Sequence, residues 1–180
     1  ITVTGTPNAS DLATILKSTL GTVKATVTAD TAAKLNAALK DANSDDALIL
    51  TVNGTTATAK DLISLIGKTN VQIKLDVGAI TGNIAEITSV FVTNASGFDD
   101  VTDVAATISG TITAAEADLV AVVTNKVVTA TIKADSAAVL NAVLVDVLPG
   151  SQVNAYKLTV NDTTADAAVL NLLDGKTSVA

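Results

Sequence analysis

The sequence predicts an α/β fold built from repeated strand–helix units: a one-sided parallel sheet covered by short helices. Three observations predict it. First, residues 23–39, VKATVTADTAAKLNAAL, return as residues 128–144, VTATIKADSAAVLNAVL, with eleven of seventeen positions identical and Asp30 falling on Asp135, an offset of 105. Second, short stretches of period-two alternation run seven times into a small-residue turn and then a helical apolar stripe. Third, the alternating stretches have one apolar and one Thr/Lys face, whereas strands buried on both faces read as continuous apolar runs.

The first unit carries Ile1 and Val3 among threonines, then Asn8 or Ser10 as helix cap and Leu12, Ile15 and Leu16 as the stripe. In the second, Val23, Ala25 and Val27 oppose Lys24, Thr26 and Thr28; Asp30 is the expected N-cap and Leu35, Ala38 and Leu39 the stripe. The third alternates Leu48, Leu50 and Val52 and is expected to turn at Asn53-Gly54. A loose capping box follows, Thr58-Ala-Lys-Asp61, then Leu62, Leu65 and Ile66, with Gly67 ending the helix in a left-handed conformation.

The fourth unit, residues 71–103, departs from the others. Val71, Ile73, Leu75 and Val77 alternate, and Ile84, Ile87, Val90 and Phe91 read as a helical stripe, although the β-branched run at 87–92 also suits a strand. A longer loop holds Asn94, Gly97, Asp99, Asp100 and Asp103. The fifth unit echoes the first, Ala-Thr-Ile-Ser-Gly-Thr for Ile-Thr-Val-Thr-Gly-Thr, with a capping box Thr113-Ala-Ala-Glu116 and an expected stripe of Leu119, Val122 and Val123. The sixth copies the second. The seventh, residues 158–177, copies 50–69 at an offset of 108, with thirteen identities in twenty; the three extra residues fall near Pro149 and Gly150.

Residues 1–105 thus form a first super-repeat of four units, and 106–180 a second with three units and the start of a fourth strand. Right-handed crossovers make such a sheet parallel, and continued stacking gives an α/β solenoid. The alternative is two compact two-layer α/β domains in tandem. The start at Ile-Thr-Val without Met reads as a processed product or part of a larger protein. The break at Ser178-Val179-Ala180 leads to the expectation of more repeats, or of a neighbouring molecule that continues the pattern.

Composition narrows the chemistry. The 180 residues carry a net charge of −7, and all eleven basic residues are lysines. Without arginine or a basic cluster, nucleic acid and anionic membrane surfaces are not expected partners. There is no Cys, His, Met or Trp, which excludes disulfides, thiolate metal sites and Ser-His-Asp or Cys-His catalysis within this chain. No apolar run is long enough to span a bilayer. A carboxylate pair for glycoside cleavage needs more than Glu86 and a capping Glu116. No enzyme activity, catalytic residue, cofactor or metal ligand is therefore expected.

Four further features bear on function. Gly67-Lys68-Thr69 and Gly175-Lys176-Thr177 resemble the end of a phosphate-binding loop, but Leu62 and Leu170 stand where its first glycine belongs, and both tripeptides follow a helix instead of preceding one. Asp99, Asp100 and Asp103, and separately Asp45 and Asp46, are clustered carboxylates of the kind that hold Ca²⁺, but without EF-hand spacing, and solvated turns explain them better. Asn8, Asn53, Asn94 and Asn161 begin N-glycosylation triplets of a sort common in a Thr/Asn-rich chain. Lastly, Lys34, Ala38, Lys40, Ala42 and Asn43 become Val139, Val143, Val145, Val147 and Leu148. This makes the second copy's helix apolar nearly all round, from a thicker local core or a contact between repeats or molecules.

The phrases Thr-Ala-Asp-x-Ala-Ala-x-Leu-Asn-Ala and Leu-Asn-Leu-Leu-Asp-Gly-Lys-Thr-Ser-Val-Ala resemble the repeats of large, acidic, Thr/Ala/Val-rich bacterial cell-surface proteins of cyanobacterial, hemolysin-like type. The resemblance implies an exported, non-catalytic structural or adhesive role. It also implies calcium-binding glycine–aspartate repeats, which this chain lacks. The expected function is a structural repeat segment of an extracellular bacterial surface protein, assembling with copies of itself or neighbouring repeats into a surface layer or filament. The alternative is an adhesin that recognises glycan or a partner surface.

Overall fold

A computed structural model describes residues 1–144 and 153–179. Among these residues seven α-helices are interspersed with eight strands. In chain order they are α1 (Ala9–Ser18), β1 (Lys24–Thr26), α2 (Ala32–Ala38), β2 (Ala47–Ile49), β3 (Thr51–Thr58), α3 (Ala59–Ile66), β4 (Ile73–Asn83), α4 (Ile84–Thr88), β5 (Phe98–Asp99), β6 (Ala105–Ile112), α5 (Ala114–Ala121), β7 (Val128–Ile132), α6 (Ala137–Val143), β8 (Ala155–Lys157) and α7 (Ala167–Asp174).

Among the described residues every strand pairing is parallel. β1 pairs with β2, and β3, β4, β6, β7 and β8 follow one another across a second sheet, with β5 added beside β4. Single bridges extend the pairing: Thr2 with Lys24, Asp30 with Val52, Asp135 with Val160, and Asn154 with Thr177. Each helix touches the next, from α1 on α2 through to α6 on α7. The sheet runs unbroken across the boundary between the two super-repeats, because β6 begins at Ala105 and pairs with both β4 and β7.

Burial follows the predicted alternation. β7 is buried at Val128, Ala130 and Ile132 and exposed at Thr129 and Thr131. The buried row meets the helix stripes in one apolar cluster containing Leu12, Leu35, Leu48, Leu62, Ile80, Ile87 and Leu140, all at 0% exposure. That cluster is mostly aliphatic, although all three aromatic residues of the chain, Phe91, Phe98 and Tyr156, are buried in it.

The duplication is exact for two helix pairs, while α5 starts in register with α1 and ends two residues sooner. α2 maps onto α6 at both ends with an offset of 105, and α3 onto α7 with an offset of 108. Gly5 and Gly110, also 105 apart, hold φ values of 79° and 83°. Only glycine enters this left-handed region without strain, so both echoing hexapeptides need it at that place.

Several helix starts match expectation. Asn8 caps α1 by accepting from the Asp11 amide, and Thr113 and Glu116 form the full reciprocal box. Asn83 and Glu86 form a second such box ahead of α4. At Thr58 the box is partial: its hydroxyl accepts from the Asp61 amide, while the Asp61 carboxylate accepts from that hydroxyl.

Other local expectations are corrected. Asp30 is not the cap of α2; Thr31 occupies that position, and the Asp30 carboxylate accepts from the Thr31 amide one residue early. Asn53-Gly54 makes no turn, since β3 runs through it with Gly54 at φ 131°. Gly67 ends α3 with right-handed φ −71°, where the next amide bonds back to Leu65 and no left-handed residue is required. Residues 87–92, by contrast, follow the helical reading and not its strand alternative: α4 widens into a π-turn over Ser89–Thr93 that buries Val90 and Phe91. In α5 the buried stripe is Ala114, Ala117, Val120 and Ala121, while Leu119 and Val122 are 44% and 60% exposed. Ala117, Val120 and Ala121 are the counterparts of Leu12, Ile15 and Leu16, so the cap at Thr113 sets the phase and the larger residues face outwards.

Candidate functional site

The features singled out from the sequence resolve into two groups: polar side chains used inside the fold, and exposed faces left over by it.

The Gly-Lys-Thr tripeptides belong to the first group. The Thr69 hydroxyl accepts from the Leu48 amide at 3.0 Å and the Val71 amide at 3.1 Å, and donates to the Leu48 carbonyl at 2.7 Å. A hydroxyl has one proton and two lone pairs, so its bonding capacity is used up. Thr177 repeats all three bonds with Tyr156 and Val179, at 3.0, 2.7 and 3.1 Å. The lysines complete the device: Lys68 Nζ donates to the Leu39 carbonyl at 3.0 Å and Lys176 Nζ to the Leu144 carbonyl at 2.6 Å. Leu39 and Leu144 are the C-caps of α2 and α6. A lysine there meets the carbonyl-rich, negative end of the helix. Each tripeptide therefore ties its own corner to the preceding unit, with no amide cradle for phosphate.

Related ties occur at other corners. Thr124 donates to the Val104 carbonyl at 2.9 Å and accepts from the Lys126 amide. Asp46 and its counterpart Asn154, both 2% exposed, accept from the Val23 and Val128 amides at 2.8 Å. The second carboxylate oxygen of Asp46 accepts from Asn43 N. Asp46 is thus a buried staple and not part of a solvated acidic turn with Asp45. These ties reach back 20 to 26 residues, about one unit, and they are the functional-looking residues whose role the sequence concealed. Their repetition at corresponding corners was the available signal.

The acidic loop lies beside β4. Asp99 is in β5, Asp100 has φ 61°, and Asp103 sits in a short 3₁₀ turn. Asp76, Asp100 and Asp103 line an open groove of about 470 Å³. Among the described residues no group of three or more carboxylates is placed to hold a metal ion. Glu116, in its capping box, is held below the usual glutamate range by hydrogen bonds from the Thr113 amide and hydroxyl. Glu86 is likewise engaged by the Asn83 amide. Tyr156 is fully buried, and desolvation, reinforced by the Asp118 carboxylate, pushes its phenol far above the usual range.

The second group is the exposed faces. The seventh unit shows one of them by comparison with the third. Val52, Ala57, Ala59 and Leu62 are at most 6% exposed beneath the fourth unit. Their counterparts are not covered: Val160 is half-buried, Ala165 and Ala167 are exposed, and Leu170 is 39% exposed. Of the valine-rich tract that starts within α6, Val139 is 43% exposed and Val143 half-buried; Val145, Val147 and Leu148 lie outside the described residues. No described helix is long and apolar enough to cross a membrane. No protein-family profile, curated protein or solved structure matches the chain.

Proposed function

We propose that this chain is a structural repeat segment of an extracellular bacterial surface protein, in which strand–helix units stack in one direction as an α/β solenoid and assemble into a surface layer or filament. The observation that carries the reading is the seventh unit. It shares thirteen of twenty residues and the helix bounds of the third, yet the side chains that the third unit buries against its neighbour are half-buried or exposed. Such a face is suited to stacking. The consecutive parallel pairings and the recurring corner ties support the solenoid, and the unbroken sheet across residue 105 weighs against two separate compact domains. The acidic, arginine-free composition and the resemblance to bacterial surface repeats support the extracellular placement.

Light scattering and negative-stain microscopy of the purified chain, with and without millimolar Ca²⁺, test this. Filaments or sheets are expected. A monomer in both conditions would defeat the assembly reading.

The adhesin alternative has one observation in its favour. On the open face of the sheet, Thr2, Lys24, Thr26, Ala47, Ile49 and Val71 line a depression of about 340 Å³, with Ile49 49% exposed. Specific retention on a glycan array would favour it.

A further inference from the structure

The helices of the second half carry apolar side chains at water-facing positions where the first half carries polar ones. At the 105 offset Thr14 becomes Leu119, Lys17 becomes Val122 and Lys34 becomes Val139; at the 108 offset Ser64 becomes Leu172. All four first-half residues are exposed. Their replacements are 44%, 60%, 43% and 58% exposed, so no packing among the described residues accounts for the exchange. They lie on or beside α5, α6 and α7, which contact one another in sequence. The first half acts as an internal control: it holds the same backbone with a polar surface.

From this we infer that the outer face of α5, α6 and α7 is the interface of a homodimer, with two copies meeting helix layer to helix layer about a twofold axis. Two arguments select a second copy as the occupant. The first is charge. Near a twofold axis each residue faces its own copy, so a lysine there meets a lysine. The exchanges remove Lys17 and Lys34, and Lys60 becomes Ala168, which leaves the face with apolar groups that tolerate self-apposition. A partner of opposite charge would be recognised by keeping charge, not deleting it. The second is area. The four residues are 43% to 60% exposed across three helices, an apolar patch that with a polar rim suits the core of a standard interface of about 800 Å² per partner. The contact is lateral and does not rest on end-to-end stacking.

Sedimentation velocity on the full chain tests it, comparing wild type with a Leu119→Thr, Val122→Lys, Val139→Lys, Leu172→Ser variant. That variant installs residues the first half already tolerates at the same positions, and circular dichroism verifies its fold. Below the concentrations at which end-to-end stacking builds filaments or sheets, wild type should sediment as a discrete dimer, at roughly 50 µM in an ordinary self-association range. Association should tighten several-fold as salt rises, because screening relieves repulsion between two bodies of charge −7. The folded variant should be monomeric. A wild-type monomer at high salt, including one that instead floats with neutral phosphatidylcholine vesicles, would overturn the proposal. So would an equally dimeric variant. Open-ended filaments that persist unchanged in the variant would also overturn it while leaving the stacking reading intact.

Discussion

At the scale of single residues, the fold spends its few buried polar groups on joining one unit to the next. Thr69 is 6% exposed and serves both the amide and the carbonyl of Leu48, so replacing its hydroxyl by a methyl leaves two buried backbone groups without that partner. Thr69→Val should cost about 1–3 kcal/mol in urea unfolding, the range for orphaning buried hydrogen-bonding groups, while Thr69→Ser should retain most of the stability. Equal stability of the valine variant would remove the staple from the account. Tyr156 gives a second test, because it is the only tyrosine and there is no tryptophan. Its phenol is raised in the folded state by burial and by Asp118, so folding disfavours the phenolate. This contribution is complete below the ordinary tyrosine pKa and is lost as pH rises above it, since ionisation pulls the chain towards the unfolded state. In an alkaline titration followed at the phenolate absorbance, ionisation of Tyr156 should coincide with loss of circular dichroism. A phenol that ionises at its ordinary pKa in an intact fold would contradict the burial.

At the scale of elements, strand–helix alternation was legible because both periods leave strong traces in an aliphatic chain. Capping was legible where the pattern is local: Thr113 with Glu116, and Asn8 ahead of Leu12. The phase of α5 was not legible from hydrophobicity, because its core residues are alanines and its large residues, Leu119 and Val122, face water. Reading it through the repeat, with Leu12 and Leu16 falling on Ala117 and Ala121, recovers the phase. Asn53-Gly54 misled because it is a strong turn signal in isolation, yet here parallel pairing of β3 with β4 continues on both sides of it, Asn53 with Asp76 and Thr56 with Ala79. The staples were hidden for a related reason. A threonine after a helix looks like any loop threonine until the strand 21 residues earlier is placed beside it. The exposed faces could be suspected from Val139 but not bounded, since exposure depends on which neighbours the fold supplies.

At the scale of the whole molecule, stability in a stacked fold is close to a sum of unit terms and nearest-neighbour contacts, and a unit lacking one neighbour forgoes half its contacts. The third and seventh units show both conditions in nearly the same sequence. Leu62 is fully buried and Leu170 is 39% exposed at the same helical position. If the fourth unit is the natural cover for this face, grafting residues 73–104 after Ala180, where Gln72 falls on Ala180, should extend the ladder by one rung. The extended chain should melt roughly 5 °C or more above the parent, as expected when a few kcal/mol of new contact enter a cooperative unit of this size. The sharper expectation concerns coupling. In the parent chain Leu170→Ala should be mild, because much of the side chain is already in water. In the extended chain it should approach the 2–5 kcal/mol typical of a buried leucine, about what Leu62→Ala should cost in either chain. If Leu170→Ala costs the same in both, the graft is not seated on α7, and the end face is an ordinary surface, not a stacking one.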